Sequence, residues 1–141
     1  MGQIGAQHVC QGVGKYRDFL LRARRLRKLF SYRTEGRHEQ LARDNLAAAG
    51  LLDLVEIREG DALETLRSGL PEQIDILLLD GAKSLYADVL RLVEHRLRPG
   101  ALIIADNADY CPEYLALMRK PDSGYLSLPF ADDVELSMKC G

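Results

Sequence analysis

The sequence predicts an α/β fold: a mostly parallel sheet of five or six strands with helices on both faces. Two observations carry this. Strand-like and helix-like patterns alternate along the chain from Gly36 onward, and two nearly continuous apolar runs, Ile74–Leu79 and Ala101–Ala105, each end in an acid, Asp80 and Asp106. Alternation of this kind requires right-handed crossovers, which lay successive strands side by side and parallel. A third observation lies in the tail, where Tyr125–Pro129 and Val134–Lys139 are short strand-like runs suited to a closing hairpin.

The elements follow in order. Leu41, Asn45, Leu46 and Ala49 recur at helical spacing between Gly36 and Ala49, and Gly50 suits the stop. Val55–Arg58 alternates as a half-buried strand, and Gly60-Asp61 turns the chain into a short helix ending near Gly69. Ile74–Leu79 reads as a strand buried on both faces. Ser84–Arg96 predicts an amphipathic helix with Leu85, Val89, Leu92, Val93 and Leu97 on one side, broken by Pro99-Gly100. Ala101–Ala105 predicts a second buried strand, and Pro112–Arg119 a last helix.

Composition narrows the function classes. A chain of 141 residues, 47% hydrophobic and 28% charged, fits one ordinary globular domain and excludes a disordered or collagen-like chain. No apolar stretch approaches the roughly 20 residues of a membrane helix, so no membrane partner is expected. Cys10, Cys111 and Cys140 lie far apart, are odd in number and form no C-x-x-C pair. They read as free thiols of a reducing compartment, the cytoplasm. Residues 1–33 hold eight basic side chains against one acid, Asp18, whereas the chain as a whole carries a net −2. That stretch predicts a basic helix; with no aromatic interleaving suited to base stacking it is a poor nucleic-acid surface.

In parallel sheets ligands bind beyond the carboxyl ends of the strands. Asp61, Asp80 and Asp106 all fall at or just past such an end, which makes that rim the candidate site. Asp80, Asp106 and Asn107 offer two carboxylates and an amide oxygen without sulfur or imidazole, a donor set for Mg²⁺ or another hard divalent cation rather than zinc. Lys83, three residues after Asp80, would sit beside that charge and act as a base. His8, His38 and His95 lack ligand spacing. Gly12-Val13-Gly14-Lys15 fails as a phosphate loop, because Val9 and Tyr16 stand where glycine and Ser/Thr belong.

From Thr34 to Lys139 these residues resemble the C-terminal part of a class I S-adenosylmethionine-dependent O-methyltransferase of the catechol and caffeoyl-CoA type. The resemblance rests on Thr34-Glu35 with the helix ending Ala49-Gly50-Leu51, on Gly60-Asp61-Ala62, on Asp80-x-x-Lys83-x-x-Tyr86, on Leu97-Arg98-Pro99-Gly100 and on Asp106-Asn107. It implies a Rossmann-like methyltransferase sheet with a C-terminal antiparallel hairpin, S-adenosylmethionine as donor, a divalent cation and a small hydroxylated acceptor. Glu35 would bind the donor's ribose, Asp61 and Ala62 would face its adenine, and Asp80 would border the same site. Asp80, Asp106 and Asn107 would hold the metal, Lys83 would be the base, and Glu135 would contact the acceptor. A homodimer is left open.

One landmark departs from the family. Its acid-Gly-x-Gly turn after a first strand has no counterpart in residues 1–33, which read as a basic helical segment outside the match and leave the sheet incomplete at that end. Two functions follow. One is a Mg²⁺-dependent O-methyltransferase impaired in donor binding; the other is a non-catalytic, truncated methyltransferase-like module that binds a partner.

Overall fold

A computed structural model of the chain describes residues 29–33 and 36–141. Six strands and four α-helices occur among them. In chain order they are β1 (Leu29–Arg33), α1 (Gly36–Ala48), β2 (Val55–Glu59), α2 (Ala62–Thr65), β3 (Ile74–Leu79), α3 (Tyr86–Val93), β4 (Leu97–Ala105), α4 (Pro112–Arg119), β5 (Tyr125–Ala131) and β6 (Val134–Lys139). The strands form two hydrogen-bonded groups, β1–β2 and β3–β4–β6–β5. β1 with β2 and β3 with β4 are parallel, whereas β4 with β6 and β5 with β6 are antiparallel. The α/β class and the closing hairpin are as the sequence predicts, and the sheet is mixed.

Three expectations change. Residues 29–33, assigned by charge to a basic helix, form β1, because Leu29↔Val55 through Arg33↔Glu59 pair as a parallel ladder; local charge does not decide against backbone pairing. The rest of the basic segment lies outside the described residues. Pro99-Gly100 sits inside β4 rather than between elements. The register jumps there from Ile74↔Leu97 to Ile76↔Leu102, so the turn bulges out, where a proline with no N–H costs no ladder bond. Of the predicted face, Val93 and Leu97 are buried, but Leu85, Val89 and Leu92 are not fully so; the buried stripe of α3 is Tyr86, Ala87, Leu90 and Val93.

The core lies between the four-stranded sheet and helices α3 and α4. Ile74, Leu77, Leu79, Ala101, Ile103 and Ala105 face Tyr86, Leu90, Val93, Tyr114 and Met118 in one buried cluster. The opposite face is less covered than two-sided burial would require: Leu102, Leu126, Leu128 and Met138 are all exposed. Tyr86 and Tyr114 meet edge to face, with ring centroids 5.9 Å apart, and so lock α3 to α4. Among the described residues no helix is long and apolar enough to cross a membrane.

Leu90 is fully buried and Leu126 is 57% exposed. Leu90→Ala should therefore cost about 2–5 kcal/mol by leaving a cavity under the sheet, whereas Leu126→Ala should stay within about 0.5 kcal/mol of wild type. Urea unfolding of both variants checks this; equal losses would mean that the core is not where α3 meets the sheet.

Candidate functional site

Parallel pairing of β3 with β4 builds the site. Leu79 pairs with Ala105, and the Asp106 N–H continues the ladder by donating to the Leu79 carbonyl at 2.8 Å. Asp80 and Asp106 therefore leave the sheet together at its carboxyl end, on neighbouring strands. Directly after Asp106 the chain turns through Asn107, whose φ of 50° and ψ of 44° lie in the left-handed region. Asparagine tolerates that conformation better than most side chains.

Lys83 opens the 3₁₀ turn ahead of α3 and reaches back over this corner. Its Nζ donates to the Tyr86 hydroxyl at 2.8 Å and to the Asp106 carbonyl at 3.0 Å. It stands 3.8 Å from Asp80 Oδ1 and 3.8 Å from Asp106 Oδ2. The Tyr86 hydroxyl in turn donates to the Asp106 carbonyl at 2.9 Å and accepts from the Gly81 N–H at 3.2 Å. Burial pushes the Tyr86 phenol well above its ordinary value, so it stays protonated and keeps donating.

The carboxylates repel one another. Burial first, and then the adjacent Asp80, raise the Asp106 carboxyl above the usual carboxylate range; Lys83 pulls it down and Asp133 adds a further push upward. Two crowded carboxylates beside an amide form a donor set that a divalent cation would relieve. Among the described residues, however, no group of three or more His, Cys, Asp or Glu side chains is arranged to hold a metal. The set is two carboxylates and the Asn107 amide.

Of the other expected residues, the described ones, Asp61, Ala62 and Glu135, make their contacts elsewhere. Glu35 lies outside the described residues. Asp61 caps α2, with its Oδ1 accepting from the Leu63 N–H at 2.8 Å, and Ala62 is the first residue of that helix. Asp61 follows β2, whose hydrogen-bonded group is separate from that of Asp80 and Asp106. Glu135, expected at the acceptor, is 1% exposed. Arg119 grips it with bonds of 2.8 and 2.6 Å, and the Ser127 hydroxyl donates to it at 2.6 Å. Glu135 pairs across from Ala105 at the end of β4, and the period-2 alternation of β6 turns its side chain onto the face that α4 covers.

Two participants are not legible from spacing. Tyr86 is in the quoted motif but has no role there until its hydroxyl is seen on the Asp106 carbonyl. Asp133, in the β5–β6 turn, accepts from Asn107 Nδ2, and its carbonyl accepts from the Ala108 N–H at 2.7 Å. That contact spans 26 residues, and no local pattern marks it.

Comparison with known proteins now places the chain. A family model described as a methyltransferase domain matches residues 6–108. The chain belongs to that methyltransferase family. Its match begins at residue 6 and so takes in much of the basic segment set apart above. A catechol O-methyltransferase of Niastella koreensis is 31% identical over 83 residues, 57% of this chain and 38% of that protein. One from Mycobacterium tuberculosis is 34% identical over 71 residues, 50% of this chain and 32% of that protein. The aligned part thus spans about a third of each relative. The structure of the O-methyltransferase from Bacillus cereus, solved with SAH, superposes with a TM-score of 0.74 at 19% identity, covering 97% of this chain and 72% of that one. That likeness shows the methyltransferase fold.

The Glu135–Arg119 pair gives a pH signature. Arg119 holds the Glu135 carboxyl below its ordinary value. Its contribution to wild-type stability is therefore present above the unfolded carboxylate range of about 4.3 and is lost as pH falls through the lower folded value. Arg119→Leu leaves a buried carboxylate without its cation and raises its pKa, so in the variant this group's contribution instead grows as pH falls through the raised value. Arg119 is itself half-exposed, and the loss at neutral pH should be about 1–3 kcal/mol. Urea unfolding between about pH 2 and 7 reads both slopes, the wild-type one below about 4.3 and the variant's above it; parallel slopes would contradict the assignment.

Proposed function

We propose that this methyltransferase-family chain transfers a methyl group from S-adenosylmethionine to a hydroxyl of a small catechol-like acceptor, with a divalent cation at Asp80, Asp106 and Asn107. The observation that carries this is the corner at the carboxyl ends of β3 and β4, where the Asp80 and Asp106 carboxylates meet Lys83 and Asn107 follows next along the chain. Support for the acceptor class comes from the names of the two curated relatives. The donor set of oxygens without sulfur or imidazole fits a hard cation.

The donor supplies an electrophilic methyl group, and a divalent cation supplies positive charge that favours the ionised hydroxyl. This chain's own residues do the rest. Asp80, Asp106 and Asn107 would hold the cation at the rim. Lys83 Nζ, pinned by the Tyr86 hydroxyl and the Asp106 carbonyl, would take the acceptor's proton. Glu35, Asp61, Ala62 and Asp80 remain the residues proposed for the donor. Glu135 has a different part: it ties α4 to β5 and β6 beneath the site.

Methyl transfer to catechol decides the reading, measured for wild type, for Lys83→Ala and for wild type treated with EDTA. Lys83→Ala should lower the rate by about 10²–10⁴-fold, the usual contribution of a placed general base, and EDTA should abolish it. Titration with S-adenosylhomocysteine, with and without Mg²⁺, checks donor binding directly. Activity that survives both treatments would overturn this mechanism; no donor binding at millimolar ligand would favour the non-catalytic module.

A further inference from the structure

We propose that Asp133 is a positioning residue for Asn107, fixing which way its side-chain amide faces. This rests on the reading above in which Asp80, Asp106 and Asn107 hold a divalent cation. An ionised carboxylate can only accept hydrogen bonds, so the side of the Asn107 amide that meets Asp133 must be its NH₂. The structure has that arrangement, with Asn107 Nδ2 donating to Asp133 Oδ2. The amide oxygen is thereby turned to the other side of Cγ. Without Asp133 the amide is able to rotate by half a turn and present its NH₂ to a cation, which an N–H donor repels.

The rest of the corner is built to hold that orientation. The Ala108 N–H donates to the Asp133 carbonyl at 2.7 Å, and the Asp106 N–H donates to the Leu79 carbonyl at 2.8 Å. The backbone on either side of Asn107 is therefore tied to two different strands' ends. The Asn107 carbonyl accepts from the Tyr110 N–H at 3.1 Å and from Cys111 Sγ at 3.7 Å. Only the side-chain torsion is left to set, and Asp133 sets it. Because the Ala108 bond uses the Asp133 backbone, substitution of the side chain leaves the turn anchored. Neighbouring Asp132 carries the same charge in the same turn but is exposed, which makes it the control.

The test is Mn²⁺ binding to the full chain, followed by calorimetry and by the Mn²⁺ EPR signal, for wild type, Asp133→Ala, Asp133→Asn and Asp132→Ala. Groups that orient a metal ligand typically account for about 10- to 100-fold in metal affinity, and Asp133→Ala should lose that much. Asp133→Asn loses the charge but keeps an oxygen that accepts from Asn107, so it should retain most of the affinity, as should Asp132→Ala. The second readout needs no cation: the Asn107 side-chain amide protons should exchange slowly in wild type and Asp133→Asn, and rapidly in Asp133→Ala. Wild type that takes up no Mn²⁺ would overturn the cation reading and this role with it. Wild type that binds, with Asp133→Ala unchanged, overturns the role of Asp133 alone. Asp133→Asn or Asp132→Ala falling as far as Asp133→Ala would assign the effect to charge rather than orientation, and so also overturns it.

Discussion

The candidate site depends on one backbone carbonyl, that of Asp106. Lys83 Nζ and the Tyr86 hydroxyl both donate to it, which uses both of its lone pairs. The same peptide region is fixed to the sheet, since the Asp106 N–H bonds the Leu79 carbonyl. One end of β4 therefore accepts from a lysine in the turn ahead of α3 and from the tyrosine that begins α3, and donates a hydrogen bond to β3. Moving any of these three elements would break contacts made by the other two. The edge-to-face packing of Tyr86 on Tyr114 extends the constraint to α4.

A second polar network lies inside the core rather than at the rim. Glu135, Arg119, Ser127 and Ser137 link α4 to the hairpin, with the two serine hydroxyls 2.7 Å apart. An isolated carboxylate could not be buried there, because desolvation would cost more than the fold could offset. The two bonds from Arg119, whose side chain remains half-exposed, keep the charge solvated by protein. This is why an acid near the start of β6 is a structural tie. Its position along the strand sets the face, and that face lies under α4.

Element types were legible in the sequence wherever apolar runs had clear ends. Ile74–Leu79, Pro112–Arg119 and Val134–Lys139 have the bounds that pattern alone assigns, and Asp80 and Asp106 follow their strands as expected. β1 was hidden because Leu29–Arg33 continues a run of arginines and lysines, and its pairing with β2 depends on residues more than twenty positions away. Register was hidden for a similar reason. The α3 stripe is set by what the sheet offers, so Tyr86 is buried although its hydroxyl argues for a surface. Asp61 is the converse case: its place after a strand suggests a ligand contact, and one of its carboxylate oxygens also caps the first turn of α2. Acids past strand ends serve as caps as readily as ligands.

Hydrogen-bond capacity separates the groups that could carry a proton at this corner. Tyr86 has one donor and two acceptor positions, and the Asp106 carbonyl, the Gly81 N–H and Lys83 occupy all three. Taking up a proton would require giving up one of those bonds in a buried setting. Burial, and then the adjacent Asp80, raise the Asp106 carboxyl; in the proposed reading its charge would be balanced by the cation. Lys83 differs, because an amine has three hydrogen or lone-pair positions beyond its carbon stem. Two of them are used by Tyr86 and the Asp106 carbonyl, and the third, with the Asp80 and Asp106 carboxylates 3.8 Å away, is the one that would meet the acceptor's hydroxyl in the proposed reaction. The neutral amine can satisfy both fixed bonds with its two hydrogens while offering its lone pair, so the proton moves without any rearrangement of the corner. That economy favours Lys83 over its neighbours as the proton acceptor.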